Sequence, residues 1–266
     1  MKNYNQETVL LTWTLKPNSK VSEWIFWHKW CLKPEERQKD YFYSILYYII
    51  YSNFKNIVFC ENSNYEFWNF ITILKQLAKY YNKNLEIIQF QWNIDKVLDS
   101  HYWYWEWEIT NYALENSKIL QKSTGRYKIT WRYIVENIND IIKFHKNDKN
   151  LFFRFVTYSL FSLNTMIFKI SKKDYNKYLK DINNKLTSKI LLETLYYKTL
   201  KNTDINIWQL KVKPYIIRRD YKSKKIKFFH KILFKIWCRS YNSNICNILE
   251  QLKNFTNIFR IKKGNG

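Results

Sequence analysis

Glycine constrains this chain more than any other residue, because its 266 residues contain only three glycines beside twelve tryptophans. An average composition of about 7% glycine would give roughly 19. Gly264 and Gly266 lie at the end of the sequence, so its body contains Gly125 alone. Tight turns and the close approach of backbone to a ligand ordinarily use glycine. Either such turns are built from other residues here, or some tryptophans stand at glycine positions.

Three tryptophans, Trp103, Trp105 and Trp107, alternate with other residues between His101 and Glu108. A helix is predicted from about 106 to 121, so with glycine at these positions the stretch becomes a glycine-rich loop that opens a helix. Such a loop brings backbone amides and a helix N-terminus to a phosphate or a sugar. We hypothesise that UGA codons of the gene specify glycine and were translated as tryptophan.

The alternative is a low-GC gene that is rich in aromatic residues. With true tryptophans, the stretch would be an aromatic platform for sugars or bases, or a hydrophobic plug.

Charge and cysteine usage say less about function. The net charge of +23 would favour a nucleic-acid or anionic-membrane partner, but codon bias toward lysine explains part of it. The four cysteines form no CxxC or zinc spacing, which is typical of free thiols in a reduced cytosol. The apolar run 41–51 is too short to span a bilayer, and no signal-peptide pattern opens the chain. We therefore predict a cytoplasmic protein.

Strand-like and helix-like segments alternate over the first 150 residues, which predicts βαβ units and a parallel sheet. The predicted class is α/β, with a Rossmann-like, mostly parallel sheet. Ligands bind at the carboxyl edge of such sheets, here formed by the loops 12–14, 61–63 and 91–93. The predicted strands are 9–12, 56–60, 85–90, 127–130, 151–156 and 166–170, the last two partly antiparallel; the predicted helices are 34–51, 65–81, 106–121, 139–146, 171 onward and 188–200.

Three local signals support these helices. Ser63 and Glu66 form a capping-box pattern, and so do Ser171 and Asp174. The polar run 82–84 predicts the end of the second helix.

The last part of the chain differs from the rest. Residues 221–263 interleave lysines with large apolar residues, which predicts a basic amphipathic helix. We divide the chain into a domain over 1–220 and this extension over 221–266. The helix either binds an anionic membrane surface or packs on the main domain with a lysine-rich outer face.

A second motif carries charge. Lys128 and Thr130 end a predicted strand, and Trp131-Arg132 follows. With glycine at 131, a guanidinium would lie beside an open backbone, which suits a diphosphate. The alternative is an ordinary surface arginine on a strand.

Together these motifs resemble a known group of proteins. The segments 10–14, 59–63, 102–106 and 128–138, with glycine at 13, 103, 105 and 131, are similar to bacterial glycosyltransferases encoded in capsule and lipopolysaccharide gene clusters. The resemblance covers about residues 7–215, with 171–175 and 192–193 matching further on. It implies a nucleotide-sugar transferase fold of GT-A type, a nucleotide-sugar donor, and a lipid-linked or glycan acceptor at the inner face of the plasma membrane.

The resemblance also implies candidate site residues. The donor would be held by Thr12, Trp13, Glu61, Asn62, Ser63, Trp103, Trp105, Trp107, Lys128, Thr130, Trp131, Arg132 and Arg154. Glu106, Glu108 or Glu193 would deprotonate the acceptor if the reaction inverts. No Asp-x-Asp pair occurs, so the sequence leaves a divalent cation open, and Lys128, Arg132 and Arg154 are the candidates for neutralising the leaving group.

The chain departs from the family at two further places. Asn164-Thr165-Met166 replaces an Asp-(Ser/Thr)-Arg pattern, which puts a role for this turn in doubt, and Thr194 replaces a histidine after Glu193. Two rivals stay open: a less favoured nucleic-acid-binding module, in which aromatic residues stack on bases, and an inactive remnant of the transferase fold.

Overall fold

The computed structural model describes residues 7–16, 34–66, 68–100, 103–130, 133–152, 163–187, 190–203, 205, 214 and 216–217. Residues Met1–Arg218 form one compact unit. The basic segment 221–263 lies outside the described residues, so the domain boundary and the amphipathic helix stay predictions. Trp131, Arg132 and Arg154 lie outside them as well.

Strands and helices alternate through the described chain. In order they are β1 Thr8–Trp13, α1 Pro34–Tyr51, β2 Asn56–Glu61, α2 Trp68–Tyr80, β3 Asn84–Gln89, α3 Ile94–Ser100, α4 Trp103–Asn116, α5 Lys118–Lys122, β4 Gly125–Thr130, β5 Ile134–Val135, α6 Ile138–Phe144, β6 Ile167–Ser171, α7 Lys172–Tyr178, a 3-10 turn Ile182–Lys185, α8 Leu192–Leu200 and β7 Ile216–Ile217.

Five strands form a central sheet in the order β3-β2-β1-β4-β6. The pairs β1–β2, β2–β3 and β1–β4 are parallel, and β6 runs antiparallel to β4. The predicted α/β class with a mostly parallel sheet is therefore confirmed. The chain builds outward from β1 to β3 and then returns to the other side of β1, so the switch point of the topology lies between β1 and β4.

Apolar runs cover both faces of this sheet, as expected for parallel strands. On one face, Leu10 and Val58 pack with Ile109 and Ala113 of α4. On the other face, Trp13 at the end of β1 stacks on Tyr41 of α1. Every residue of β1 and β2 is buried, which explains why their sequence signal is so clear.

Two predicted helix boundaries have the expected local chemistry. Asn82 adopts a positive φ of 52°, and the backbone N–H groups of Asn82 and Lys83 donate to Lys79 and Ala78. This is a Schellman ending, for which asparagine is suited because it tolerates the left-handed region. The Ser171 hydroxyl accepts a hydrogen bond from the Asp174 N–H and caps α7.

The capping box predicted at Ser63 is wrong. The Ser63 hydroxyl donates to Glu61 and accepts from the Lys16 N–H, and α2 begins only at Trp68. The long helix predicted over 106–121 is two helices, because the Ser117 side chain caps α5 separately.

In the sequence as translated, this helix begins earlier than predicted, because Trp103, Trp105 and Trp107 lie in the first turns of α4. The glycine-rich loop was predicted for glycine at these three positions and stays a prediction. Tryptophan has an ordinary helix propensity, whereas each glycine would cost about 1 kcal/mol relative to alanine. The indoles also gain tertiary contacts: Trp105 packs against Trp92, and Trp107 Nε1 donates to the Lys180 carbonyl at 2.9 Å. The sequence as translated therefore favours helix where glycines would favour a loop.

Among the described residues, no helix combines the length and the apolar character that crossing a bilayer requires.

Candidate functional site

A cleft lies at the carboxyl edge of the sheet, at the switch point between β1 and β4. Thr12 and Thr130, which are register partners on these strands, both line it. Ligands bind at such positions in open α/β sheets. The free space is about 20 Å³, which is enough for about one water molecule. The lining residues are Thr12, Trp13, Thr14, Arg37, Tyr41, Asn62, Trp105, Glu106, Ile109 and Thr130.

Two buried polar atoms of this cleft have no hydrogen-bond partner. They are the Thr12 hydroxyl and the Asn62 amide nitrogen, and both side chains are almost fully buried. The Thr14 hydroxyl donates to Asn62 Oδ1 at 2.6 Å, which leaves Asn62 Nδ2 as the unsatisfied donor. Leaving such a group unpaired costs about 1–3 kcal/mol. The pair therefore marks a place where a ligand or an ordered water completes the structure.

Glu61 holds together the loops that bear these groups. One carboxylate oxygen accepts from the Leu15 N–H and the Ser63 N–H, each at 2.9 Å, and from the Ser63 hydroxyl. The other accepts from the Tyr65 N–H at 3.3 Å. Burial raises the pKa of Glu61, and these hydrogen bonds oppose that rise. Glu61 and Ser63, both predicted as donor-binding, are thus engaged in shaping the edge of the cleft.

Lys128 lies beneath the cleft and is paired with Glu106. The Lys128 ammonium donates to Glu106, to the Thr130 hydroxyl and, at 2.9 Å, to the Thr165 carbonyl. Burial lowers the pKa of Lys128, and the nearby Glu106 carboxylate opposes this. Because its ammonium is already engaged, Lys128 acts on the cleft through Glu106.

Glu193 joins this cluster from α8. Its Oε1 accepts from the Thr165 hydroxyl at 3.2 Å, while its buried Oε2 has no partner. Burial and the negative charge of Glu106 together raise the pKa of Glu193 to about 7, while the hydrogen bond from Thr165 and the charge of Lys128 oppose the rise. The structure therefore brings Glu106, Lys128, Thr130 and Glu193 together. It also gives Thr165 a clear position in this cluster, although the sequence put a role for its turn in doubt.

Glu108, the third candidate base, lies apart from this cluster. Its carboxylate accepts from the Asn93 N–H at 3.2 Å, next to the start of α3. Burial raises the pKa of Glu108, and this hydrogen bond opposes the rise. Of the three candidates, Glu106 alone is among the described residues that line the cleft.

The tryptophans divide between the cleft and the neighbouring core. Trp13 and Trp105 line the cleft. Trp13 stacks on Tyr41 with a centroid distance of 4.5 Å, and the Trp105 ring contacts Trp92 in a tilted arrangement with a centroid distance of 5.2 Å. Trp103 and Trp107 pack instead against the core formed around α7 and α8. The indoles of Trp13 and Trp105 therefore take up space that a ligand would need.

Sequence reasoning missed Arg37 and Tyr41 in α1. Arg37 Nη1 donates to the Thr14 carbonyl at 2.9 Å and to the Tyr41 hydroxyl at 3.4 Å, and the Tyr41 hydroxyl donates to the same carbonyl at 2.6 Å. The position of α1 in the chain could have indicated these two residues. A helix that follows β1 begins near the carboxyl edge of the sheet, so basic residues in its first turn belong to the candidate site.

No three His, Cys, Asp or Glu side chains come together as a metal site within the part of the chain that the structure describes.

Comparison with known proteins adds a distant structural likeness. No protein-family model and no curated protein sequence matches the chain. Among solved structures, it is similar to a protein from Bacillus anthracis assigned as a glucose-1-phosphate thymidylyltransferase, in complex with sucrose. The identity is 10% and the TM-score 0.48, over 85% of this chain and 95% of that one. The α/β class thus follows from the chain's own topology, and we transfer no functional residue from this neighbour.

Proposed function

We propose that this chain is a nucleotide-sugar-dependent glycosyltransferase whose donor occupies the cleft between β1 and β4. The unpartnered atoms of Thr12 and Asn62 carry the proposal, because they lie at the switch point where α/β sheets bind ligands. The order and spacing of the sequence motifs support glycosyl transfer, with a lipid-linked or glycan acceptor of a surface polysaccharide.

Glu106 is the proposed base for the acceptor hydroxyl, because it is the candidate carboxylate that lines the cleft. Lys128 and Thr130 hold its carboxylate in place. Glu193 interacts electrostatically with Glu106 and Lys128 but does not itself line the cleft. We expect Glu106→Gln to abolish transfer. We expect Glu193→Gln to keep transfer but to shift the pH dependence of its rate.

The proposal includes glycine at Trp13 and Trp105. Both positions are glycine in the family that the motifs resemble, and both indoles line the same cleft of about 20 Å³. Glycine at both would remove two aromatic walls and open the cleft to a ligand larger than water. Codons read from the gene test this directly, since UGA at 13, 103, 105, 107 and 131 supports it and UGG contradicts it.

A thermal-shift assay tests the function. We would compare the full chain as translated with the full chain carrying glycine at 13, 103, 105, 107 and 131, each against UDP-, GDP- and CMP-sugars. A ligand at 100 times its Kd adds about 2.7 kcal/mol, which for a protein of this size raises Tm by roughly 5–10 °C.

Trp92→Gly is the matched control, because it removes an indole next to Trp105 at a position where no glycine is predicted. It should create no binding. If no nucleotide sugar stabilises either version while single-stranded RNA does, the nucleic-acid-binding alternative replaces this proposal.

A further inference from the structure

We infer that Glu193 holds a proton for Glu106: it keeps this proton while Glu106 is ionised and releases it when Glu106 gains one. Glu193 is a positioning residue in this sense, because it acts through Glu106 and does not itself line the cleft. The inference rests on the proposed function, in which Glu106 takes the proton of the acceptor hydroxyl.

Two carboxylates share one ammonium in this cluster. Lys128 and Glu106 form an ion pair whose side chains are 1% and 8% exposed. Thr165 links this pair to Glu193, since its carbonyl accepts from Lys128 at 2.9 Å and its hydroxyl donates to Glu193 Oε1 at 3.2 Å. One ammonium balances one buried carboxylate, and a second carboxylate beside them favours its neutral form. The cluster therefore holds one proton on its two carboxyl groups.

The contacts assign this proton to Glu193. Glu106 Oε1 accepts from the Lys128 ammonium and, at 3.0 Å, from the Thr130 hydroxyl, and both contacts favour a carboxylate. Glu193 accepts from the neutral Thr165 hydroxyl, and its buried Oε2 has no hydrogen-bond partner. The pKa of Glu193, which burial and the charge of Glu106 raise to about 7, agrees with this assignment.

Two other ionisable groups lie near the cluster. Tyr196 follows Glu193 by three residues on α8, and burial raises the pKa of its hydroxyl well above 10, so it stays neutral in this range. Arg126 of β4 acts on Tyr196, whereas the charges that shift the pKa of Glu193 are those of Glu106 and Lys128. The proton on Glu193 therefore responds to the charge of the pair beside it.

The proton balance follows from these contacts. The hydrogen bonds from Lys128 and Thr130 both reach Glu106 Oε1, so Oε2 is the oxygen that takes up the acceptor proton. When the acceptor O–H bond breaks and an O–H bond forms on Glu106, Lys128 loses its ionised partner. The Lys128 ammonium then favours the ionised form of Glu193. The O–H bond of Glu193 breaks and its proton passes to water, because this residue is partly exposed. One ammonium and one carboxylate are present before and after the step.

Carboxyl NMR measures this proton without any substrate. We would titrate the full chain with isotope-labelled glutamate carboxyls and assign the Glu193 signal as the one lost in Glu193→Gln. In the parent we expect its midpoint near pH 7. Glu106→Gln removes the neighbouring negative charge and should lower this midpoint by about one pH unit, the interaction at which two sites titrate as a pair. Glu115→Gln is the control, because it removes an exposed carboxylate of the same helix and should leave the midpoint unchanged.

The pH dependence of transfer gives a second readout. In the parent, the rate should rise as pH increases through about 7, because an ionised Glu193 favours proton uptake by Glu106. Glu193→Gln should lose this rise, whereas Glu193→Asp keeps a carboxyl group and should retain it. A purely structural role of Glu193 would lower the rate equally at every pH.

The inference is overturned if the Glu193 signal titrates near pH 4.5 in the parent, or if its midpoint stays the same in Glu106→Gln. The first outcome needs no change at Glu106, so it decides the matter even if Glu106→Gln folds poorly. An equal loss of rate at every pH in Glu193→Gln also overturns it. A Glu193 midpoint that falls in Glu106→Gln, without turnover of any nucleotide sugar, would support the shared proton and refute the proposed transferase function.

Discussion

Replacing Glu193 by glutamine should make the protein more stable at alkaline pH. Glu193 lies beside Glu106 and Lys128, its Oε1 accepts from the Thr165 hydroxyl, and its buried Oε2 has no partner. Burial and the Glu106 charge raise its pKa from 4.5 to about 7. One pKa unit corresponds to 1.36 kcal/mol, so the ionised carboxylate costs about 3 kcal/mol in the folded state.

The direction follows from proton linkage. The folded protein holds the Glu193 proton more tightly than the unfolded chain, so this proton stabilises the fold. Its contribution is complete below the unfolded pKa of 4.5 and is lost as pH rises through about 7. Glutamine is neutral throughout. The variant should therefore differ little from the parent near pH 5 and exceed it by up to about 3 kcal/mol near pH 9.

Urea unfolding at pH 5.5, 7.0 and 8.5 and constant ionic strength measures this difference. Glu115→Gln on α4 is the control, because Glu115 is exposed and its ion pair with Lys180 is at the surface. It should change stability by less than about 1 kcal/mol at every pH. A Glu193→Gln difference that stays flat or falls with pH would refute the reasoning.

Two further substitutions test buried charges by the same urea assay. Arg126 is fully buried with no partner for Nη1 or Nη2, lies 4.6 Å from the Tyr175 ring centroid, and has its pKa lowered to about 10 by burial. Arg126→Met should leave stability unchanged or raise it by about 1–2 kcal/mol, so a loss greater than about 2 kcal/mol would contradict this view. Lys128→Met should cost about 3–5 kcal/mol by leaving the Glu106 carboxylate buried and unpaired. Adding Glu106→Leu should recover most of that loss, and no recovery would show that the pair is not the cause.

The sheet could be predicted from the sequence because strands that are buried on both faces have continuous apolar runs. Continuous apolar runs mark β1 and β2, and Asn82 ends α2 through its own backbone conformation. The loops at 12–14 and 61–63 follow from parallel pairing, which brings their strand ends to one edge. The cleft was therefore predictable in place.

Its chemistry was not predictable, because side chains from distant segments create it. Thr165 contacts Lys128 and Glu193 across 37 and 28 residues of sequence, and no pattern in the turn 164–166 indicates this. Arg37 donates to the backbone carbonyl of Thr14. Every residue has such a carbonyl, so the sequence does not indicate this contact. The indoles at 103–107 pack against two separate apolar clusters, Trp103 and Trp107 against one and Trp105 against the other. Local helix propensity gives no information about these tertiary contacts.

By itself, the sequence determined the order of the four parallel strands and of helices α1 and α2 between them, and the edge at which their loops meet. It also gave the hypothesis that glycine belongs at several tryptophan positions. The tertiary structure alone decided that Trp13 and Trp105 share one cleft, and that Glu106 lines it while Glu108 and Glu193 do not. Periodicity and turn chemistry act over a few residues and so can be recognised locally. Ion pairing and the filling of space depend on which distant side chains meet, and only the folded chain brings those together.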